Sequence, residues 1–253
     1  MKLLIIAYSS IFILALTQHA GAQDTLATDT SQQSPMVDAW VEHQGRLSAV
    51  HRQGDASPRV KLSDVIDSTG FWAIGPLAGL RGEITVIDGE PFVARVISDT
   101  IVICHETDIE APFLVYGSVY RWQEMSIPDS IRTIHQLEQW LALIADTLSA
   151  SDMPDAFPFK LVSSQSKVDF HVISNREPGY QISRPHHELM RFFTLESQPL
   201  TLLGVFSRHH AGIFTHHDQW THIHLVSDDK RHSGHVDSLS LDPDAMLFLP
   251  EAK

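Results

Sequence analysis

Histidines are concentrated near the C-terminal end of the sequence. Eight of the 16 histidines lie between His209 and His235. Within this window, residues 221–226 read THIHLV, which alternates polar and apolar side chains as a half-buried strand does. Side chains two residues apart lie on the same face of a strand, so we expect His222 and His224 to point the same way. Two neighbouring imidazoles can bind a single metal ion.

A third histidine follows at a distance that suits a hairpin. Residues 227–230 read SDDK and predict a turn, so Gly234 and His235 would begin the neighbouring antiparallel strand. His235 would then return beside the first pair. Three neutral imidazoles with an open fourth position form a common catalytic zinc site. The spacing therefore predicts a Zn²⁺ site formed by His222, His224 and His235, and the alternative is a polar strand face whose imidazoles are only hydrogen-bonded.

The other histidines of this window are interpreted as loop residues. His209, His210, His216 and His217 surround Gly212 in a segment without strand periodicity, and His232 lies in the predicted hairpin loop. A third hypothesis makes the chain a metal-sequestering protein that binds several ions partly through these loop histidines.

The segments that must position the zinc ligands are mostly strands. Residues 82–96 contain two β-branched runs about Asp88 and Gly89, which is typical of a hairpin turn. Further short strands are predicted at residues 99–104, 159–162, 168–173, 201–206 and 221–226. Apolar residues at spacings of three and four predict a helix from about Asp129 to Leu148, and a shorter helix is predicted over Leu62–Asp67. The expected fold class is α+β and strand-dominated, with mixed or antiparallel β-sheets, a few helices and the metal site on a β-hairpin.

Composition excludes several classes of protein. The 253 residues carry a formal net charge of −13, which makes the chain a poor binder of nucleic acid or of anionic membrane surfaces. The single cysteine, Cys104, excludes an intramolecular disulfide framework and a cysteine-rich metal site.

The N-terminal residues predict export. Lys2, the apolar run over residues 3–16 and the small residues at 20–22 are typical of a signal peptide with cleavage near Ala22. The apolar run is shorter than the roughly 20 residues that span a membrane, so we expect no stable membrane span. Residues 23–36 are interpreted as a flexible leader and residues 37–253 as the folded domain, with a division into two sheet regions near residue 150 left open. The mature protein would be periplasmic or extracellular.

Several motifs together resemble the alpha-acetolactate decarboxylase family. Residues 221–236 (THIHLVSDDKRHSGHV) resemble the segment that carries the three zinc-binding histidines of that family. Residues 70–75 (GFWAIG), 80–83 (LRGE) and 87–89 (IDG) are similar to a second family block, and residues 111–113, 158–159 and 203–206 to shorter pieces. The resemblance extends from about residue 45 to residue 249.

This resemblance implies a zinc enzyme that decarboxylates 2-acetolactate to acetoin and CO₂, with the metal as a Lewis acid that stabilises the enediolate. It implies that Glu83 handles the proton beside the metal and that Arg176 positions the substrate carboxylate. The expected partner is the small-molecule substrate, and the family likeness suggests a homodimer.

The sequence also departs from the family pattern. Arg81 stands where the family has an aspartate, and Pro76 where it commonly has a threonine. The family carries a second active-site glutamate well beyond the third histidine, and Glu251 comes too early to match it. These departures leave an alternative: a catalytically impaired or divergent decarboxylase-like protein that keeps the metal site and binds another small molecule.

Overall fold

The computed structural model describes residues 41–66, 69–147 and 154–251. The predicted signal peptide and leader, and the start of the predicted domain, lie outside these ranges and stay predictions. Within them, helices long and apolar enough to cross a membrane are absent.

Strands predominate among the described residues, which confirms the predicted strand-dominated α+β class. The strands are β1 (Glu42–Gly45), β2 (Val60–Lys61), β3 (Phe71–Pro76), β4 (Glu83–Ile87), β5 (Glu90–Ile97), β6 (Thr100–Cys104), β7 (Glu110–Ala111), β8 (Phe113–Ser118), β9 (Trp122–Ser126), β10 (Ala156–Ser163), β11 (Lys167–Ile173), β12 (Met190–Glu196), β13 (Leu200–Ser207), β14 (Thr221–Ser227), β15 (Ser233–Ser240) and β16 (Met246–Pro250). The helices are α1 (Leu47–Gln53), α2 (Leu62–Val65), α3 (Ile134–Thr147) and α4 (His186–Leu189).

The strands form two large antiparallel sheets and one small one. The first half of the chain builds a six-stranded sheet in the order β1-β8-β3-β4-β5-β6. Strand β9 and the strands of the second half build an eight-stranded sheet in the order β12-β11-β15-β14-β13-β10-β16-β9, and β2 pairs with β7. The metal-ligand candidates therefore lie on β14 and β15 in the middle of the larger sheet, where neighbouring strands hold both.

The two large sheets share hydrophobic clusters. Ala94 and Val96 of β5 belong to the same cluster as Phe159 and Phe170 of the larger sheet. In a second cluster, Trp72 of β3 packs with side chains of β8 and β13. Burying one large apolar side chain contributes about 1.5–3 kcal/mol, so these shared clusters hold β4 of the first sheet against β14 and β15 of the second.

The hairpin predicted over residues 82–96 is present as β4 and β5. Its two turn residues, Asp88 and Gly89, have φ values of 51° and 83°, as the tight turn favoured in hairpins requires. Glu83 is the first residue of β4, and Thr85 follows on the same face of the strand.

The long helix begins later than the sequence prediction placed it. Helix α3 starts at Ile134 rather than near Asp129, because Thr133 and Gln136 form a reciprocal cap. The Thr133 hydroxyl accepts the backbone N–H of Gln136 at 3.3 Å, and Oε1 of Gln136 accepts the N–H of Thr133 at 3.1 Å. Helix α2 ends at Val65, and the predicted ends at Asp67 and Leu148 lie outside the described residues.

Candidate metal centre

The hairpin of β14 and β15 brings three histidines together. His222 and His224 lie two residues apart on β14, and His224 is directly opposite His235 on β15. One ring nitrogen from each of the three lies within 4.8 Å of the others. The structure thus gathers the three residues that the sequence predicted as ligands, while the binding of a metal ion by them stays a prediction.

The nitrogen positions fit one metal ion. Nε2 of His222 and Nε2 of His224 are 3.2 Å apart. Two nitrogen ligands at 2.0–2.1 Å from a tetrahedral zinc ion lie about 3.3 Å from each other, so the observed separation suits shared ligation. An all-nitrogen set of imidazoles favours Zn²⁺ and its transition-metal neighbours over Mg²⁺ or Ca²⁺.

The three imidazoles are held neutral. Burial lowers the pKa of His224 to about 3, and the electrostatic effect of the neighbouring His171 ring acts in the same direction. Burial also lowers the pKa of His222 and of His235 well below the usual range, and other histidines of the cluster add to the effect. Metal ligation requires neutral imidazole, so burial prepares these side chains to bind a cation.

A hydroxyl chain contacts the outer nitrogen of His224. Oγ1 of Thr85 on β4 lies 3.0 Å from Nδ1 of His224, and Ser233 donates its hydroxyl proton to Thr85 at 3.0 Å. When Nδ1 of His224 donates to Thr85, Nε2 is left without a proton and can bind a metal. Outer contacts of this kind orient metal-binding histidines.

Glu83 places a carboxyl group beside these histidines. Its Oε1 accepts the backbone N–H of Ile173 at 3.3 Å, and its Oε2 lies 3.9 Å from Nε2 of His224. Burial raises the pKa of Glu83 well above its usual range, and the negative charge of Asp237 acts in the same direction. Burial therefore disfavours the charged form of Glu83 when no cation is bound beside it.

A small cavity opens beside the metal centre. Six histidines line it, together with Glu83 and apolar residues such as Leu47 and Phe113. Among the described lining residues there is no lysine and no arginine. The cavity therefore offers imidazole nitrogens and one carboxyl group as its polar contacts.

The cavity also contains histidines that the sequence reasoning missed. His171 on β11 lies opposite His235, with ring centroids 4.9 Å apart, and its Nδ1 is 2.8 Å from Oδ1 of Asp237. His235 and Asp237 are two residues apart on one strand and therefore lie on the same face. This spacing was the sequence signal that could have indicated the contact between His171 and Asp237. His51 and His186 come from the short helices α1 and α4, where no periodicity indicated a site.

The loop histidines have different surroundings. His216 is a loop residue, as the sequence predicted, and it also lines the cavity, with its ring 5.6 Å from that of His235. His210 stacks on Phe214 at 4.6 Å, and His217 contacts Arg52 at 2.6 Å. His209 is exposed.

The structure leaves the predicted substrate-positioning arginine away from the cavity lining. Arg176 is exposed just beyond the end of β11 and does not belong to the residues that line the cavity. Its predicted role therefore stays a prediction.

The fold consists of two large antiparallel sheets, and its candidate metal centre is a hairpin with three histidines beside a buried carboxyl group. Comparison with known proteins identifies the class of protein. The sequence model of the alpha-acetolactate decarboxylase family matches residues 47–247, and the chain belongs to this family.

Solved structures show the same fold. The crystal structure of alpha-acetolactate decarboxylase from Bacillus subtilis strain 168 aligns with a TM-score of 0.63 at 17% identity, over 84% of this chain and 86% of that one. A Staphylococcus aureus protein of unknown function, described as similar to alpha-acetolactate decarboxylase, aligns with a TM-score of 0.64 at 14% identity over the same shares. The comparison with curated proteins finds no match.

Proposed function

We propose that this protein is a zinc-dependent decarboxylase that converts 2-acetolactate to acetoin and CO₂. Membership of the family supports the proposal. The observation that carries it is the set of three neutral imidazoles within 4.8 Å of one another, with Glu83 beside them at a small cavity.

His222, His224 and His235 would hold the metal. When bound there, Zn²⁺ supplies a Lewis acid next to the keto oxygen on which negative charge develops. The protein's own contribution is to keep the three rings unprotonated and correctly oriented, which burial and the Thr85 hydroxyl do.

Glu83 is suited to the proton transfer. Decarboxylation breaks the bond between the carboxylate carbon and the hydroxyl-bearing carbon, and the electron pair moves toward the neighbouring keto group. After CO₂ leaves, a proton must be added to the hydroxyl-bearing carbon to form acetoin. Glu83 can deliver this proton because its carboxyl group lies beside the three histidines and lines the cavity, and solvent then restores the proton.

His171 and Asp237 provide a second polar group at the cavity. The Asp237 carboxylate accepts the Nδ1–H of His171, which leaves Nε2 free to accept a hydrogen bond from the substrate hydroxyl. This pair offers a second fixed polar contact for the substrate at the cavity.

Two further proposals come from the sequence. We propose that the chain is exported and cleaved near Ala22, and that it forms a homodimer. The mass of the secreted protein tests the first, and light scattering of the purified protein tests the second.

The decisive experiment measures metal and product on the same purified sample. We expect about one tightly bound zinc ion per chain at the central site and acetoin formation far above the spontaneous rate. His222→Ala should lose both the ion and the activity. Glu83→Gln should keep the ion and lose activity by a factor of about 10² to 10⁴, as is usual for removal of a proton-transfer group.

His209→Ala is the matched control because His209 is exposed and does not line the cavity. It should behave as the wild type. Wild-type protein that holds zinc but forms acetoin only at the spontaneous rate would instead support the divergent, decarboxylase-like alternative.

A further inference from the structure

His51, outside the central ligand set, contacts two further histidines at the cavity, His186 and His216. The ring centroids of His51 and His186 are 4.2 Å apart, and those of His51 and His216 are 5.3 Å apart. In the central set of His222, His224 and His235, the corresponding distances range from 4.9 to 5.5 Å. In the outer trio of His51, His186 and His216, the two ring contacts made by His51 are thus as close as those of the central set.

His186 carries a nitrogen that has no partner. Its Nε2 is buried without a hydrogen bond, while the backbone carbonyl of Val50 accepts a hydrogen bond from its ring. That bond must involve the other nitrogen, Nδ1, so the lone pair of Nε2 is free. Metal-binding histidines have this arrangement: one ring nitrogen donates its N–H to a carbonyl oxygen, and the other nitrogen has no proton and can bind the metal.

We propose that His51, His186 and His216 form a second metal site, separate from the central one. Three imidazoles select a transition-metal ion such as Zn²⁺ or Co²⁺ rather than Mg²⁺ or Ca²⁺, which prefer oxygen ligands. An ion there would bring positive charge to a cavity whose described lining contains no lysine or arginine.

The second site is expected to bind more weakly than the central one. In the central set, the ligating nitrogens already lie within 4.8 Å of one another. Among the described residues, the outer trio does not meet this distance. His51 is exposed and His186 partly so, and their rings must rotate for the outer nitrogens to converge. The cost of this rotation lowers the affinity of the outer trio.

The test is the number of ions bound per chain, which does not depend on the proposed reaction. We would dialyse metal-free protein against increasing Co²⁺ at neutral pH and measure bound metal by mass spectrometry and by visible absorption. Wild-type protein should bind two ions in two separate steps. His51→Ala/His186→Ala should lose only the weaker step, and His222→Ala/His224→Ala only the tighter one.

His187→Ala is the matched control because His187 is an exposed neighbour of His186 that does not line the cavity. It should bind two ions as the wild type does. Circular dichroism verifies that each variant is folded, and His216→Ala provides a second variant if the double one is not. A single saturating ion in the wild type, or an unchanged weaker step in folded variants of the outer trio, would overturn the proposal.

Discussion

Glu138 on α3 is joined to Thr221 at the start of β14 by two hydrogen bonds to one oxygen. Oε1 of Glu138 accepts the backbone N–H of Thr221 at 3.0 Å and its hydroxyl proton at 2.8 Å. The same oxygen accepts the backbone N–H of Trp220 at 2.8 Å. Since His222 is the next residue, this buried carboxyl group fixes the strand that carries two of the candidate metal ligands.

We expect Glu138→Ala to destabilise the protein by about 3 kcal/mol, because it leaves buried donors of Trp220 and Thr221 without an acceptor. Glu138→Gln keeps one acceptor oxygen and should cost less. Urea unfolding of the metal-free protein measures both effects. Gln139→Ala, at the exposed neighbouring position, is the control, and an equal loss in that variant would contradict the anchoring role.

Thr85→Val should weaken metal binding at the central site by about 10- to 100-fold, the usual effect of removing an outer contact of a metal-bound histidine. The substitution keeps the side-chain volume but removes the oxygen that lies 3.0 Å from Nδ1 of His224. Competition with a coloured chelator measures the affinity. Thr100→Val on the exposed part of β6 serves for comparison. Affinity within twofold of the wild type in Thr85→Val would show that the hydroxyl does not orient the ring.

The stability of the metal-free protein should decrease as the pH falls from about 6.5 toward 3. In the folded state, burial lowers the pKa of His224 to about 3, from an ordinary value of 6.5. Between these values the unfolded chain binds more protons than the folded chain, so acid favours unfolding. The stabilising contribution is complete above pH 6.5. Urea unfolding at several pH values measures the trend, and a constant free energy of unfolding over this window would contradict buried neutral imidazoles.

Arg176→Ala should change kcat/KM by less than about twofold, because Arg176 is exposed and does not line the cavity. Steady-state kinetics with 2-acetolactate measures the effect. The family resemblance predicts the opposite result, since it assigns this arginine to the substrate carboxylate. A rise in KM of tenfold or more would show that the side chain reaches the bound substrate.

The local parts of this structure could be predicted from the sequence because their signals lie within a few residues. The alternation in residues 221–226 and the turn after Ser227 predicted the hairpin that pairs His224 with His235. Asp88 and Gly89 predicted the turn between β4 and β5 in the same way. The start of α3 differs from the predicted one because Thr133 and Gln136, rather than Asp129, cap the helix.

The sequence by itself determined that one hairpin carries three imidazoles able to share an ion, because strand geometry relates residues two apart and residues across a turn. Only the packing of the two sheets decided which distant groups surround that hairpin. It brings Glu83 and Thr85 from the first sheet against His224, and it adds His51 and His186 from short helices to the cavity. It also decided the depth of burial, and hence the lowered pKa of the imidazoles and the raised pKa of Glu83, because exclusion of water depends on the assembled fold and not on local spacing.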